Sequence, residues 1–291
     1  MIAVPSPAKV NLYLNVVSRY KNGYHGLRSI FAQTDLSDTM TFSVADGSHN
    51  DITVGNAELP QDNLISKAVN LFQSTLRRIP FHVSIHTEKH IPMGGGLGGG
   101  SSNAATVLNV LNTMYKTNYS HTILQRMGAK LGADVPFFVR GGVQRVFGIG
   151  QIVCPLSAKC DIPILLVFPK TRVNTAAAYA AMDNCHICGN TYSEDKCYRL
   201  VRDGLLTGDI EQVAAGLYNK FETVIFPDNP ELQRIKSDLV RCGAIAALMS
   251  GSGSTMFGLC ENASVLHDCA DKMRKLGYEV FETQIKQNLN Q

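Results

Sequence analysis

A chain of 291 residues has room for two modest domains or one large one, and 45% hydrophobic against 18% charged residues is the composition of a globular protein, not of a disordered, collagen-like or coiled-coil chain. Twenty-seven Lys and Arg against 24 Asp and Glu leave +3 with no basic run, which argues against a dedicated nucleic-acid surface and leaves small anions as partners. No stretch reaches the roughly 20 consecutive apolar residues of a membrane helix, and MIAVPSPAKVNLYL carries no basic segment followed by an apolar block, so we expect a cytoplasmic protein whose eight cysteines are reduced thiols.

Apolar Ala8, Val10, Leu12, Leu14 and Val16 alternate with Lys9, Asn11, Tyr13 and Asn15, and this period of two predicts a strand with one polar face. Asn22-Gly23 reads as a tight hairpin turn, and 30–36 and 40–44 as further strands of an antiparallel sheet. Helical spacing over 63–76 precedes an alternating strand at 81–87, and then a glycine cluster. A helix is expected from about Asn103, with Ala104, Val107, Leu108 and Leu111 on one face, and another over 122–131, with Ser120 as its cap and Gly132 as its stop. A turn region at 141–150 gives way to an apolar strand at 162–168, and the boundary between domains 1–155 and 156–291 is placed there. Beyond it the pattern predicts helices at 175–183, 196–206, 210–221, 230–242 and 263–276, and strands at 244–249, 255–260 and 278–284, an α+β sandwich. No internal repeat or low-complexity tract is visible.

Pro92-Met93-Gly94-Gly95-Gly96-Leu97-Gly98-Gly99-Gly100-Ser101-Ser102 joins a strand to a helix with six glycines in eleven residues. Bare backbone approaches an anion closely, and a helix start adds outward N–H groups and the positive dipole end, so phosphate is the natural ligand. A merely flexible turn would not require the strand before, the helix after and the paired hydroxyls. Gly94-x-Gly96-x-x-Gly99 matches the dinucleotide fingerprint as a string, but nothing between Glu88 and Asp134 is acidic, so the ribose ligand is missing. The P-loop reading fails because Gly100-Ser101 stands where Lys-Ser/Thr is required, and the protein-kinase reading because neither His-Arg-Asp nor Asp-Phe-Gly occurs.

The string PMGGGLGGGSSNAA resembles the nucleotide loop of the GHMP superfamily, the small-molecule kinases acting on galactose, homoserine, mevalonate and phosphomevalonate. Pro7-Ala8-Lys9-Val10-Asn11-Leu12 is similar to that family's first motif, and Ser250-Gly251-Ser252-Gly253-Ser254-Thr255 to its third. NGYH and GADVPFF narrow the resemblance to the branch of isoprenoid precursor synthesis whose acceptor alcohol carries a cytidyl diphosphate. The resemblance implies a two-domain α+β kinase fold, with an N-terminal sheet/helix nucleotide domain and a C-terminal ferredoxin-like α/β sandwich closing the substrate cleft. It also implies ATP as phosphoryl donor, Mg²⁺ to neutralise its phosphates with Ser101 or Ser102 as a ligand, and no nucleic-acid or membrane partner.

Phosphoryl transfer to an alcohol needs a carboxylate at the hydroxyl proton and a cation against the developing charge. By resemblance these are Asp134, in the apolar setting Gly132-Ala133-Asp134-Val135-Pro136-Phe137-Phe138, and Lys9, which shares its strand face with Asn11. A surface lysine and a helix-terminating aspartate are the bland alternatives. The resemblance assigns the nucleotide to the loop 92–102 and Asn63, for which a plain helix cap is the alternative. It assigns the cytosine portion to Tyr24, His25, Thr175 and Tyr179, with Tyr where the family leads us to expect Phe, and substrate phosphates to Gly251, Ser252 and Gly253, with Asn11 beside Lys9 also expected on the substrate. Thr175 and Tyr179 are one helical turn apart, a spacing that lets both face the same pocket. Cys185-x-x-Cys188 with Cys197 lacks a second knuckle for zinc and is read as a loop near the substrate helix. The rival functions are a sister kinase of the homoserine or mevalonate class and, from another class, a non-catalytic nucleic-acid-binding module.

Overall fold

A computed structural model of the chain describes residues 1–45, 49–55, 63–76, 82–185, 189 and 191–286. In chain order the first half runs β1 (Ile2–Arg19), β2 (His25–Val44), β3 (Asp51–Val54), α1 (Leu64–Thr75), β4 (Val83–Glu88), α2 (Gly99–Met114), α3 (His121–Gly128), α4 (Val135–Arg140), β5 (Val143–Gly148) and β6 (Ile152–Pro155). The second runs β7 (Ile162–Val167), α5 (Thr175–Asn184), α6 (Tyr192–Thr207), α7 (Ile210–Gly216), β8 (Tyr218–Asn219), α8 (Glu222–Ile225), α9 (Pro230–Cys242), β9 (Ala246–Met249), β10 (Met256–Leu259), α10 (Ala263–Lys275) and β11 (Val280–Ile285).

Contacts divide the chain into two compact units, one of Met1–Ala8, Leu36–Met93 and Gly98–Gly141, the other of Lys9–Asp35, Gly94–Leu97 and Gly142–Gln291. β1, β2 and the glycine loop therefore each contribute residues to both. In the first unit β4 pairs antiparallel with the end of β2, Thr39 opposite Glu88, and parallel with β3, Asp51 opposite Ser84. α2 packs against α1 and α4, burying Ala104, Val107, Leu108 and Leu111, the stripe that helical periodicity selects. Val107, Leu108 and Leu111, removed from water, each contribute about 1.5–3 kcal/mol, which fixes the helix that the glycine loop leads into.

In the second unit an antiparallel ladder runs from β2 through β11, β7 and β10 to β9. β5 pairs with β2 over Leu27–Ala32, and β8 lies parallel to β1 at Tyr13 and Leu14. α9 and α10 cover this sheet, and Leu14, Val167, Phe221, Leu239, Met249 and Met256 share its buried core.

Several expectations are corrected. The strands at 30–36 and 40–44 are one continuous β2, and the supposed turn region 141–150 contains β5, a short strand bracketed by glycines. The helix expected over 210–221 ends at Gly216, where any side chain would press into α6 at 2.7 Å from the Cys197 carbonyl; Tyr218 and Asn219 pair with β1 instead. β3, α4 and α8 were not anticipated, each being too short to display a period. β1 is buried on both faces from Ala8 to Val16, so its polar side chains are interior groups, not a wetted face. Of the expected strand 81–87, Phe81 lies outside the described residues.

Candidate functional site

Lys9 and Asn11 stand on one face of β1, 3% and 1% exposed, with Lys9 Nζ donating to Asn11 Oδ1 at 2.7 Å and lying 4.7 Å from the centre of the Phe31 ring. Asn11 Nδ2 donates in turn to Ser29 Oγ at 3.3 Å, so both ends of this amide orient the ammonium. A buried ammonium is costly unless its donors are engaged, and this arrangement holds it in one place. The Lys9 backbone N–H meets the Leu97 carbonyl at 3.0 Å and thereby sews the middle of the glycine loop to β1.

The same stretch of loop is sewn to Ser250–Thr255. Ser250 Oγ donates to the Gly96 carbonyl at 3.2 Å and the Thr255 N–H to the Gly95 carbonyl at 3.2 Å. Gly96 has φ +77°, and a Cβ there would fall 2.3 Å from the Ser250 carbonyl oxygen, so only glycine lets the two backbones meet. A Cβ on Gly251 would stand 3.5 Å from Lys9 Nζ, which places that turn beside the ammonium. Asn219, 3% exposed, was missed by sequence reasoning: its Nδ2 donates to the Met249 and Gly251 carbonyls, both at 2.7 Å, and its Oδ1 accepts the Phe221 N–H at 2.9 Å. Both amide hydrogens are thus spent on carbonyls at and just before the 250–255 turn, while the amide oxygen holds the chain after β8.

A second corner of the same unit gathers the expected base-recognition residues. The His25 imidazole stacks on Tyr179 with centroids 4.7 Å apart and 21° between planes, and Tyr179 meets Phe221 edge-on at 5.0 Å. Nε2 of His25 lies 2.8 Å from Asp183 Oδ1, whose other oxygen is 3.3 Å from Arg19 Nε. A carboxylate only accepts, so Nε2 carries the proton. Tyr24 stands at the turn, 58% exposed. Asn174 caps α5, and Thr175 Oγ1 lies 2.7 Å from Ser252 Oγ, joining the first residue of α5 to the 250–255 turn.

In the first unit α2 begins at Gly99, four residues before the expected start, behind Gly98 at φ 73°. No side chain caps it and its first turn holds no acidic residue, so its leading N–H groups form a ready anion site. Met93 is 58% exposed and Pro92 and Ser101 are half-buried, whereas Ser102 is fully buried and its Oγ accepts from Ser6 at 2.9 Å. Asn63 is the N-cap of α1, with Oδ1 accepting from the Ser66 N–H at 2.9 Å. Asp134 occupies the N-cap position of α4 without capping it; it is half-buried where a buried carboxylate was expected, because the apolar run that follows turns into the helix and takes the interior positions. Cys185 is exposed, Cys188 lies outside the described residues, and no cluster of three or more His, Cys, Asp or Glu suited to a metal occurs among the described residues. No helix among them is long and apolar enough to cross a membrane.

Residues 63–142 match the family model "GHMP kinases N terminal domain" and residues 201–279 match "GHMP kinases C terminal". The chain belongs to the GHMP kinase family and is a small-molecule kinase of mixed α+β, two-domain fold. It is 36% identical to the 4-diphosphocytidyl-2-C-methyl-D-erythritol kinase of Chlorobium luteolum, covering 94% of this chain and 93% of that one. It is 34% identical to the protein of the same name from Nitratidesulfovibrio vulgaris, covering 97% and 98%. A crystal structure of 4-(cytidine 5'-diphospho)-2C-methyl-D-erythritol kinase superposes with TM-score 0.82 at 30% identity over 98% of this chain and 100% of that one. Homoserine kinase from Cytophaga hutchinsonii, at 18% identity and TM-score 0.77 over 98% and 94%, shares the fold.

Proposed function

We propose that this kinase transfers the γ-phosphoryl group of ATP to the C2 hydroxyl of 4-diphosphocytidyl-2-C-methyl-D-erythritol, in the cytoplasm, releasing ADP and the 2-phosphate. The observation that carries the reading is the Lys9 ammonium, fixed at 2.7 Å from Asn11 beside a turn of bare backbone, in a chain whose relatives bear that substrate's name. In this reading residues 1–155 supply the nucleotide loop and the catalytic pair, and 156–291 the substrate cleft.

Asp134 takes the proton from the C2 hydroxyl and Lys9 stabilises the carboxylate and the charge gathering on the transferring group. The N–H groups at the start of α2 and the glycines 94–96 and 98–100 hold the triphosphate, with Pro92, Met93, Leu97 and Asn63 toward the rest of the nucleotide. Mg²⁺ neutralises phosphate charge when bound. Of the two candidate hydroxyls we assign it Ser101, since Ser102 Oγ is engaged by Ser6. His25 and Tyr179, already stacked, receive the cytosine together with Tyr24 and Thr175, while Gly251, Ser252 and Gly253 lie along the diphosphate. Asn11 holds Lys9.

ADP release measured with a panel of the cytidyl alcohol, homoserine, mevalonate and galactose decides the acceptor. Turnover on the cytidyl alcohol should exceed the others by at least about 10³, since a site that hydrogen-bonds a base rejects acceptors lacking one. Dominance of homoserine or mevalonate would replace this reading with that of a sister kinase.

A further inference from the structure

The glycine loop's ends converge on one carboxylate. Asp38, fully buried in β2, accepts the backbone N–H groups of His90 at 2.8 Å and Ile91 at 2.9 Å on Oδ1. On Oδ2 it accepts Asn103 Nδ2 at 2.9 Å and the ammonium of Lys89. His90 and Ile91 are the last residues before Pro92, and Asn103 lies just past the first turn of α2, so entry and exit of the loop 92–102 are tied to the two oxygens of one side chain. The exit limb reaches further: Lys89 Nζ donates to Asn103 Oδ1 at 3.0 Å, Asn103 Nδ2 to Ser6 Oγ at 2.9 Å, and Ser6 Oγ to Ser102 Oγ at 2.9 Å. All these groups belong to the first unit.

Six glycines lose more conformational entropy on ordering than any other residues would and bring no side chains to hold themselves in shape. A rigid phosphate cradle made of them must be anchored from outside, at both ends. A carboxylate's two oxygens accept up to four hydrogen bonds, and here all four come from the loop's two flanks. Lys89 balances the charge that would otherwise repel a phosphate. We propose that Asp38 is a positioning residue for the nucleotide: it holds both ends of the phosphate cradle, so that its loss weakens ATP and ADP specifically and leaves acceptor binding nearly untouched.

The proposal rests on the reading that this loop holds the nucleotide's phosphates. Asp38→Asn separates the two oxygens, since the amide oxygen still accepts from the entry residues His90 and Ile91 while its NH₂ faces the donors Lys89 and Asn103, which breaks the tie to the exit. Calorimetric titration of the whole enzyme with ADP, with steady-state kinetics in both substrates, should show ADP Kd and the ATP KM raised at least about tenfold, and the acceptor KM within about twofold. Asn103→Leu cuts the exit limb alone and should raise the ADP Kd about fivefold; it also decides the matter if Asp38→Asn does not fold. Wild-type ADP affinity in a folded variant, or ATP and acceptor KM rising together, overturns the proposal. A wild-type enzyme that turns over but gives no ADP binding that Gly100→Val weakens overturns the loop reading itself.

Discussion

Lys9 and Lys220 are both buried ammonium groups of the second unit, 3% and 5% exposed, yet their surroundings differ in kind. Lys220 Nζ meets Glu194 Oε1 at 3.0 Å and the Gly189 carbonyl at 2.9 Å. Glu194 also accepts the Tyr218 hydroxyl at 2.7 Å and, on Oε2, the Thr191 N–H at 2.6 Å, closing the capping box of α6. Burial alone would lift that carboxyl, but hydrogen bonds from Tyr218, Lys220 and the Thr191 N–H, and the charge of Lys220, pull it down from 4.5 to about 2. Lys9 meets an amide oxygen, an aromatic face and the backbone of a glycine turn. The charge of Lys220 serves to fix where α6 begins and to hold β8 beside it, whereas Lys9 borders the backbone of the Gly251 turn, where the proposed reading puts a substrate's phosphates. Burial is therefore common to both lysines and by itself does not single out Lys9 for the role proposed for it.

The sharpest break between the two is expected in turnover. Lys9→Met and Asp134→Asn should each lower kcat by at least about 10³, or about 4 kcal/mol of transition-state stabilisation, with Tm within a few degrees of wild type. Either protein, folded and phosphorylating at the wild-type rate, would return its residue to a structural role.

At the other lysine the effect belongs to folding. Glu194→Gln should lower stability at pH 7 by roughly 3 kcal/mol, because each pKa unit of differential interaction corresponds to about 1.36 kcal/mol, while kcat at 25 °C stays within about twofold. The sign follows from a carboxyl whose folded pKa lies below its unfolded one. The stabilisation is whole above the ordinary value of 4.5 and drains as pH falls from there toward about 2. Urea unfolding of both proteins at pH 7 and pH 3 should show the gap narrowing in acid; a gap independent of pH would mean that Glu194 acts through packing and not charge.

How much of this could be read in the sequence depended on length and register. The helix behind the glycine loop, the cap at Ser120 and the strands β7, β9, β10 and β11 were legible because each carries several periods of its pattern or a turn signal at its edge. Lys9, the loop and the Ser250–Thr255 turn stood out through motifs. Asp38 and Asn219 did not, although Asp38 left a signal. In Leu36-x-Asp38-x-Met40-x-Phe42 an aspartate occupies a position where alternation calls for an apolar side chain, and Asp38, Met40 and Phe42 are all buried. An acid in the apolar register of a strand must be met by donors from elsewhere in the chain, and which donors cannot be told until the chain is folded. Asn219 sits on a two-residue strand too short for any register, so its grip on Met249 and Gly251 had no local trace.

The smallest effect is expected where neither buried ammonium is involved, at the ring pair. Tyr179 presents a face to His25 and an edge to Phe221, and both contacts depend on the ring, not on the hydroxyl. Tyr179→Phe keeps both and should leave the acceptor KM within about twofold. Tyr179→Leu gives up the stack, worth about 0.5–1.5 kcal/mol, so the acceptor KM should rise about two- to tenfold with kcat and the ATP KM little changed. A Leu variant with wild-type acceptor KM would detach Tyr179 from acceptor binding and leave it as packing beneath His25. A fall in kcat at unchanged KM would show instead that the ring acts on the reacting end of the substrate.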